Sequence, residues 1–241
     1  MAMSTSLDWI FFDCFNTLID DFDTTGYEAG LVPMYQVPVT AGLYATVKDV
    51  RTDYLQWRRE YIAGKPQEQS LQERFRNMLA VYRPEADIST VNQVLAEMEV
   101  QFMDCFPPTL RLPAGVENML QRWQGHVAMG VVSNFFMASW PAKMLERYGL
   151  RDYFKFVLDS AECGQRKPGD AVYQIALEVA GNPDPARVMF IGDHLTNDAI
   201  APQRLGMRSI YFDRSAERTS SAAAPPQIDA ITHWDQFVPG S

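Results

Sequence analysis

The sequence predicts an α/β protein in which a parallel sheet with helices on both faces is interrupted once by a block of helices. Three observations carry that expectation. An apolar run, "WIFF" at 9–12, reads as a buried strand. From residue 107 onward, short apolar runs alternate with segments of helical periodicity, the pattern of strands joined by crossover helices. Between these, residues 21–106 carry apolar residues at helical spacing.

Taken in order, the opening strand runs straight into Asp13. Segments 41–63, 70–82 and 90–106 follow as helices. Their stripes are Leu43, Val47, Val50, Tyr54, Trp57 and Tyr61, then Leu71, Phe75, Met78 and Leu79, then Val91, Val94, Leu95, Met98 and Phe102. Gly64-Lys65-Pro66 and Arg83-Pro84 punctuate them. After Phe106-Pro107-Pro108, helix 114–124 leads to strand 127–132 and helix 139–148. Strand 154–158 precedes helix 170–180, strand 188–191 precedes helix 197–205, and strand 209–212 follows. Residues 214–228, rich in Ser, Ala and Pro, read as a loop. The expected division is 1–20 with 107–241 as the sheet domain and 21–106 as the helical one.

Composition excludes several classes. The chain has 241 residues, 47% of them hydrophobic and 21% charged, which is ordinary globular composition. Its net charge of −9 argues against nucleic acid and anionic membranes, both of which recruit surplus Lys and Arg. No apolar run is long enough to span a bilayer, and residues 1–8 lack the pattern of a signal peptide. Cys14, Cys105 and Cys163 are too scattered for a disulfide framework or zinc cluster, so a reducing cytoplasm is the expected location. A small anionic substrate is the expected partner of a monomer or homodimer. Such a substrate needs local positive charge from a metal, a lysine or helix N-termini.

Ligands of open α/β sheets bind beyond the carboxyl ends of the strands. Four such ends carry polar residues where the apolar run stops: Asp13, Ser133-Asn134, Lys167 in the loop after "FKFVL", and Asp193 after "VMFIG". A carboxylate can attack phosphorus or carbon to form a covalent intermediate that water clears. A divalent cation on hard oxygen ligands, Asp13 and Asp193, relieves the repulsion between that carboxylate and a phosphoryl group. Lys167 adds a second positive charge, and Ser133, Thr17 and backbone N–H groups can bond the transferring oxygens. Asp198 either supports the cation or steadies Lys167, or serves as a helix-start acid. Asp20, Asp21 and Asp23 form an acidic knot, read as solvated linker charge.

These residues, in this order, resemble the haloacid dehalogenase superfamily. "FFDCFNTL" matches motif I, "VVSN" motif II, "RKPGDAVY" motif III and "IGDHLTND" motif IV. The resemblance implies a Rossmann-like parallel-sheet core with a small helical cap inserted after motif I. It implies Asp13 as nucleophile, Ser133 as hydroxyl ligand, Lys167 as the lysine, and Asp193 and Asp198 as the motif IV acids. Mg²⁺ is the implied cofactor, on Asp13, Asp193, Asp198 and the Phe15 backbone carbonyl.

One position departs from the pattern. Phosphatases of the family read D-x-D in motif I, the second acid protonating the leaving alcohol; here that position is Phe15. A phenyl ring transfers no proton, and such help contributes about 10²–10⁴-fold in rate. Members that displace halide from 2-haloacids carry Tyr there, and "WRRE", with Trp57 and Arg58, is similar to the cap stretch that supplies their substrate arginine. Motif IV points instead to metal-dependent phosphatases. The readings therefore stand as a Mg²⁺-dependent phosphohydrolase with a good leaving group, a 2-haloacid dehalogenase, or a non-catalytic protein on this scaffold. A C–P hydrolase would need a cap amine, for which Lys48 and Lys65 are the only lysines.

Overall fold

The uninterrupted apolar character of residues 9–12 has a direct cause: Ile10, Phe11 and Phe12 are wholly buried, with neighbours on both sides and on both faces of the sheet. The computed structural model describes residues 7–21, 29–215 and 223–238. Its sheet strands, numbered along the chain, are β1 (Trp9–Phe12), β2 (Ala128–Ser133), β3 (Phe156–Asp159), β4 (Val188–Gly192), β5 (Arg208–Phe212) and β6 (Ala230–Ile231). Among the described residues they form a six-stranded sheet in the order β3-β2-β1-β4-β5-β6, all pairs parallel. The first strand thus lies inside the sheet, flanked by β2 and β4. The order reverses around β1, so the carboxyl ends of β1, β2 and β4 open one crevice.

Alternation along β1 sends successive side chains to opposite faces. Phe11 packs with Val132, Val172, Tyr173, Val188 and Phe190 on one face, its ring edge-on to Phe156 at 5.4 Å. Phe12 meets Phe154 at 6.0 Å and Trp234 at 6.2 Å. Helices Val116–Trp123, Trp140–Arg147 and Asp170–Val179 cross between strands.

The chain divides into two compact units, one of residues 1–20, 66–68 and 112–241, the other of 21–65 and 69–111. The second unit contains helices Val32–Thr40, Val47–Tyr61, Leu71–Tyr82 and Ile88–Cys105. Their starts are capped by side chains: Thr46 accepts from Asp49 N, Ser70 and Glu73 form a capping box, and Asp87 accepts from Ser89 N and Thr90 N. Tyr54 stacks on Phe75 at 4.5 Å to anchor the unit's core.

Several elements differ from the sequence expectation. Helix Val32–Thr40 was hidden by Pro33, at a tolerated first-turn position, and by Pro38 inside the helix. Residues 41–46 form a turn rather than the start of a helix, so Leu43 lies outside the stripe assigned to it. The segment after Asp193 opens with a π-helical turn, Leu195–Ile200, before helix Ala201–Arg204. Strand β6 was not expected at all; it is two residues long and carries no legible alternation. Phe22 and Asp23 and part of the 214–228 loop lie outside the described residues. No helix among those described is long and apolar enough to cross a membrane.

Candidate active site

Asp13 is the first residue past β1, and its backbone N–H donates to Ile191 O at 2.8 Å, holding it in register with β4. The following turn passes through Asn16 in the left-handed region (φ 64°), a conformation Asn tolerates. That turn returns Thr17 beneath Asp13. The Thr17 hydroxyl donates to Asp13 Oδ2 at 3.2 Å, lies 3.4 Å from Asp193 Oδ1, and accepts from Asp193 N at 3.2 Å. Thr17 therefore ties the tips of β1 and β4 together.

Lys167 is 2% exposed, and its ammonium donates to Asp13 Oδ1 at 2.8 Å and Asp198 Oδ1 at 2.7 Å. Burial by itself would depress its pKa; the Asp13 and Asp198 carboxylates outweigh that and hold it above the usual lysine value. It is charged across the physiological range. Burial pushes the Asp198 carboxyl upward, opposed by the Lys167 charge. Asp198 Oδ2 accepts from His194 N at 3.0 Å, so both its oxygens are engaged within the chain. Gly192 makes this possible, because a Cβ there would fall 2.4 Å from Asp198 Cγ. His194 caps the π-helical turn, its side chain accepting from Asn197 N at 3.3 Å.

Asn134 is occupied by the main chain of Lys167: its Nδ2 donates to Lys167 O and its Oδ1 accepts from Lys167 N, both at 2.8 Å. Ser133, at the end of β2, is buried with its Oγ making no hydrogen bond among the described residues. A buried hydroxyl without a partner is costly unless a ligand supplies one.

The structure thus brings Asp13, Thr17, Lys167, Asp193 and Asp198 into one hydrogen-bonded cluster, with Ser133 and Asn134 on the neighbouring strand tip. The carboxylates of Asp13, Asp193 and Asp198 each offer an oxygen within 4.8 Å of the others. Three formal negative charges face one ammonium, and hard oxygen donors in this number suit a small divalent cation. The Phe15 ring lies 4.6 Å from that of Phe135, which stacks on Phe136 at 4.8 Å. An apolar wall stands where an acid is absent.

A model of the haloacid dehalogenase-like hydrolases matches residues 7–206. The chain belongs to that family. Within it, the chain is similar to pyrimidine 5'-nucleotidase YjjG of Escherichia coli, 29% identical over 227 residues that cover 94% of this chain and 95% of the relative. A shorter match, 30% identical over 113 residues, is to ribulose-1,5-bisphosphate 5-phosphatase of Halopiger xanaduensis, covering 47% of this chain and 46% of that one. Among solved structures, a 2-haloacid dehalogenase from Pseudomonas syringae pv. Tomato aligns with a TM-score of 0.69 at 20% identity, over 95% of this chain and 96% of its own. A HAD phosphatase from Thermococcus onnurineus gives 0.67 at 14%, over 95% of each chain. At such identities the structural likeness establishes the fold alone, which the phosphatases and dehalogenases of this hydrolase family share.

One sequence reading changes. Asp20, expected as solvated linker charge, is 2% exposed and paired with both terminal guanidinium nitrogens of Arg214, which also donates to Asn16 O at 2.9 Å. Arg214 is an anchor of the Asp13 turn that no local pattern marked. Cys14 is wholly buried, and burial together with Asp13 pushes its thiol well above the usual value. In the helical unit, Trp57 is 1% exposed and stacks with Tyr54 and Tyr61, while Arg58 lies over the Tyr54 ring at 5.7 Å. Both residues have packing roles there.

Proposed function

We propose that this chain is a Mg²⁺-dependent phosphohydrolase acting on small phosphorylated molecules whose leaving group departs without a proton. One observation carries the reading: the carboxylates of Asp13, Asp193 and Asp198 each place an oxygen within 4.8 Å of the others, and the Lys167 ammonium pairs with two of them, Asp13 and Asp198. An anionic substrate meets excess negative charge there unless a cation is added. Asp13, Asp193 and the Phe15 carbonyl, with Asp198 behind them, would hold Mg²⁺, which when bound supplies Lewis-acid charge neutralisation at the phosphoryl oxygens.

The chain's own residues divide the remaining work. Asp13 attacks phosphorus through a carboxylate oxygen; the bond to the leaving oxygen breaks and the leaving group departs with its electron pair. Lys167 keeps its proton and sets positive charge against Asp13 and the transferring oxygens. The unpartnered Ser133 hydroxyl donates to one of those oxygens, and Asn134 holds Lys167 in place. Water then attacks the phosphorus of the aspartyl phosphate, its proton passing to solvent; the bond between Asp13 and phosphorus breaks, its electron pair restoring the carboxylate, and inorganic phosphate leaves. Trp57 and Arg58 of the helical unit, read as its cap, remain candidates for substrate selection.

The nucleotidase name of the near-full-length relative supports phosphate monoesters as a class. A nucleoside 5'-oxygen is a poor leaving group, however, and Phe15 cannot protonate it. Aryl and acyl phosphates, or substrates carrying their own proton donor, fit better. Phe15 also favours a second reading, metal-free halide displacement from a 2-haloacid, but this sets a substrate carboxylate against three others.

A panel of p-nitrophenyl phosphate, acetyl phosphate, a pyrimidine nucleoside 5'-monophosphate and 2-chloropropionate tests the assignment. Mg²⁺-dependent phosphate release is expected, fastest for the first two and lost in Asp13→Asn by at least about 1000-fold. Chloride release in chelator, with no phosphate release in Mg²⁺, would establish the dehalogenase instead.

A further inference from the structure

Residues Pro66–Glu68 connect helix Val47–Tyr61 to helix Leu71–Tyr82, yet they belong to the sheet unit. They dock against the loop that carries Lys167. Gln67 forms an antiparallel bridge with Gln165, Arg166 N donates to Pro66 O at 2.7 Å, and Glu68 N donates to Gly164 O at 3.1 Å. Pro66 lies so close to Gly169 that a Cβ there would approach its own Cβ to 2.7 Å.

The Glu68 side chain is 2% exposed. A carboxylate at that depth is costly unless paired and hydrogen-bonded. Its Oε2 accepts from Ser160 Oγ at 2.7 Å and lies 3.8 Å from Arg166 Nε. Ser160 Oγ in turn accepts from Phe135 N at 2.9 Å, reaching the aromatic wall beside Phe15. Arg166 immediately precedes Lys167, whose N–H and C=O are both held by Asn134. The lysine loop is therefore gripped twice, at residue 167 by Asn134 and at residues 164–166 by the strap. Lys167 makes two bonds of 2.7–2.8 Å to separate carboxylates, a geometry that a loose loop does not keep.

We propose that Glu68 is a positioning residue: through Arg166 and Ser160 it fixes the loop that aims the Lys167 ammonium between Asp13 and Asp198. Glu68 reaches the reaction only through other residues. The proposal rests on the phosphohydrolase reading for its kinetic readout alone.

Glu68→Ala and Glu68→Gln test it, with kcat, KM and amide hydrogen exchange measured on each. Glutamine keeps an acceptor for Ser160 but loses the charge facing Arg166. With p-nitrophenyl phosphate and Mg²⁺, kcat is expected to fall about 10- to 100-fold in Glu68→Ala and less in Glu68→Gln, because misplacing a catalytic group by about 1 Å has that effect. KM should move by less than about threefold. Exchange should quicken in residues 160–169 and stay unchanged in 188–192. A folded Glu68→Ala with wild-type kcat, whatever its melting temperature, overturns the proposal, as does unchanged exchange in 160–169. If Glu68→Ala does not fold, Glu68→Gln carries both readouts. If the wild-type chain releases phosphate from nothing, the functional reading falls and exchange alone decides whether Glu68 holds the loop.

Discussion

Phe15 stands two residues beyond Asp13, its ring against Phe135 rather than a proton donor against the substrate. On the phosphohydrolase reading, the rate should depend on the leaving group. Phe15→Asp should raise turnover of an alkyl phosphate by about 10²-fold or more while changing an aryl phosphate much less, flattening the dependence of rate on leaving-group pKa. An equal change for both would mean that Phe15 does not set that dependence. Ser133 makes the complementary case. Its buried hydroxyl makes no hydrogen bond among the described residues, so Ser133→Ala should not lower thermal stability and can raise it by up to about 1–3 kcal/mol. The same change should reduce kcat/KM by about 10-fold or more, as removal of an oxyanion donor does. A falling Tm with unchanged kinetics would identify Ser133 as structural.

The decisive element is the turn from Asp13 to Asp20. It must leave β1, pass Asn16 in the left-handed region and bring Thr17 back under Asp13 and Asp193. Arg214, just past β5, holds it by bonding Asn16 O and the Asp20 carboxylate. Both partners are under 10% exposed, so Asp20→Ala strands a buried guanidinium. We expect a loss of about 3–5 kcal/mol by chemical denaturation, together with lost activity. A loss below about 1 kcal/mol would return Asp20 to the solvated role that its sequence context suggested. Motif spacing marked the residues at the strand tips because each follows an apolar run. It could not mark Asp20, Arg214 or Glu68, whose partners lie 194, 194 and 92 positions away along the chain. Such pairs are made by the sheet order and leave no local pattern.

At the scale of the whole molecule, an acidic chain of net charge −9 gathers three carboxylates, Asp13, Asp193 and Asp198, within 4.8 Å of one another at the tips of its strands. A cation that binds the folded state alone must stabilise it by mass action. Mg²⁺ at 100 times its Kd should add about 2.7 kcal/mol to unfolding stability, and chelator should remove that gain. Asp193→Asn should blunt the shift in Tm; a shift that persists unchanged in Asp193→Asn would locate the cation elsewhere. The same titration should restore phosphate release after chelation.

What the sequence by itself determined was the class of fold and the ends of its strands, since hydrophobic periodicity is local and Asp13, Ser133 and Asp193 stand where apolar runs stop. It also determined the missing acid at Phe15, an identity that no fold can alter. Only the tertiary structure decided which of those polar residues bond one another. The Lys167 ammonium reaches Asp13 and Asp198 across 154 and 31 residues, and Asn134, expected among the catalytic residues at a strand tip, bonds the main chain of Lys167 at both its N–H and its C=O. Only it revealed that a three-residue strap between two helices belongs with the sheet. The physical reason is the same throughout. Periodicity is a property of neighbours in the chain, whereas a buried charge is satisfied by whatever group the parallel sheet brings beside it.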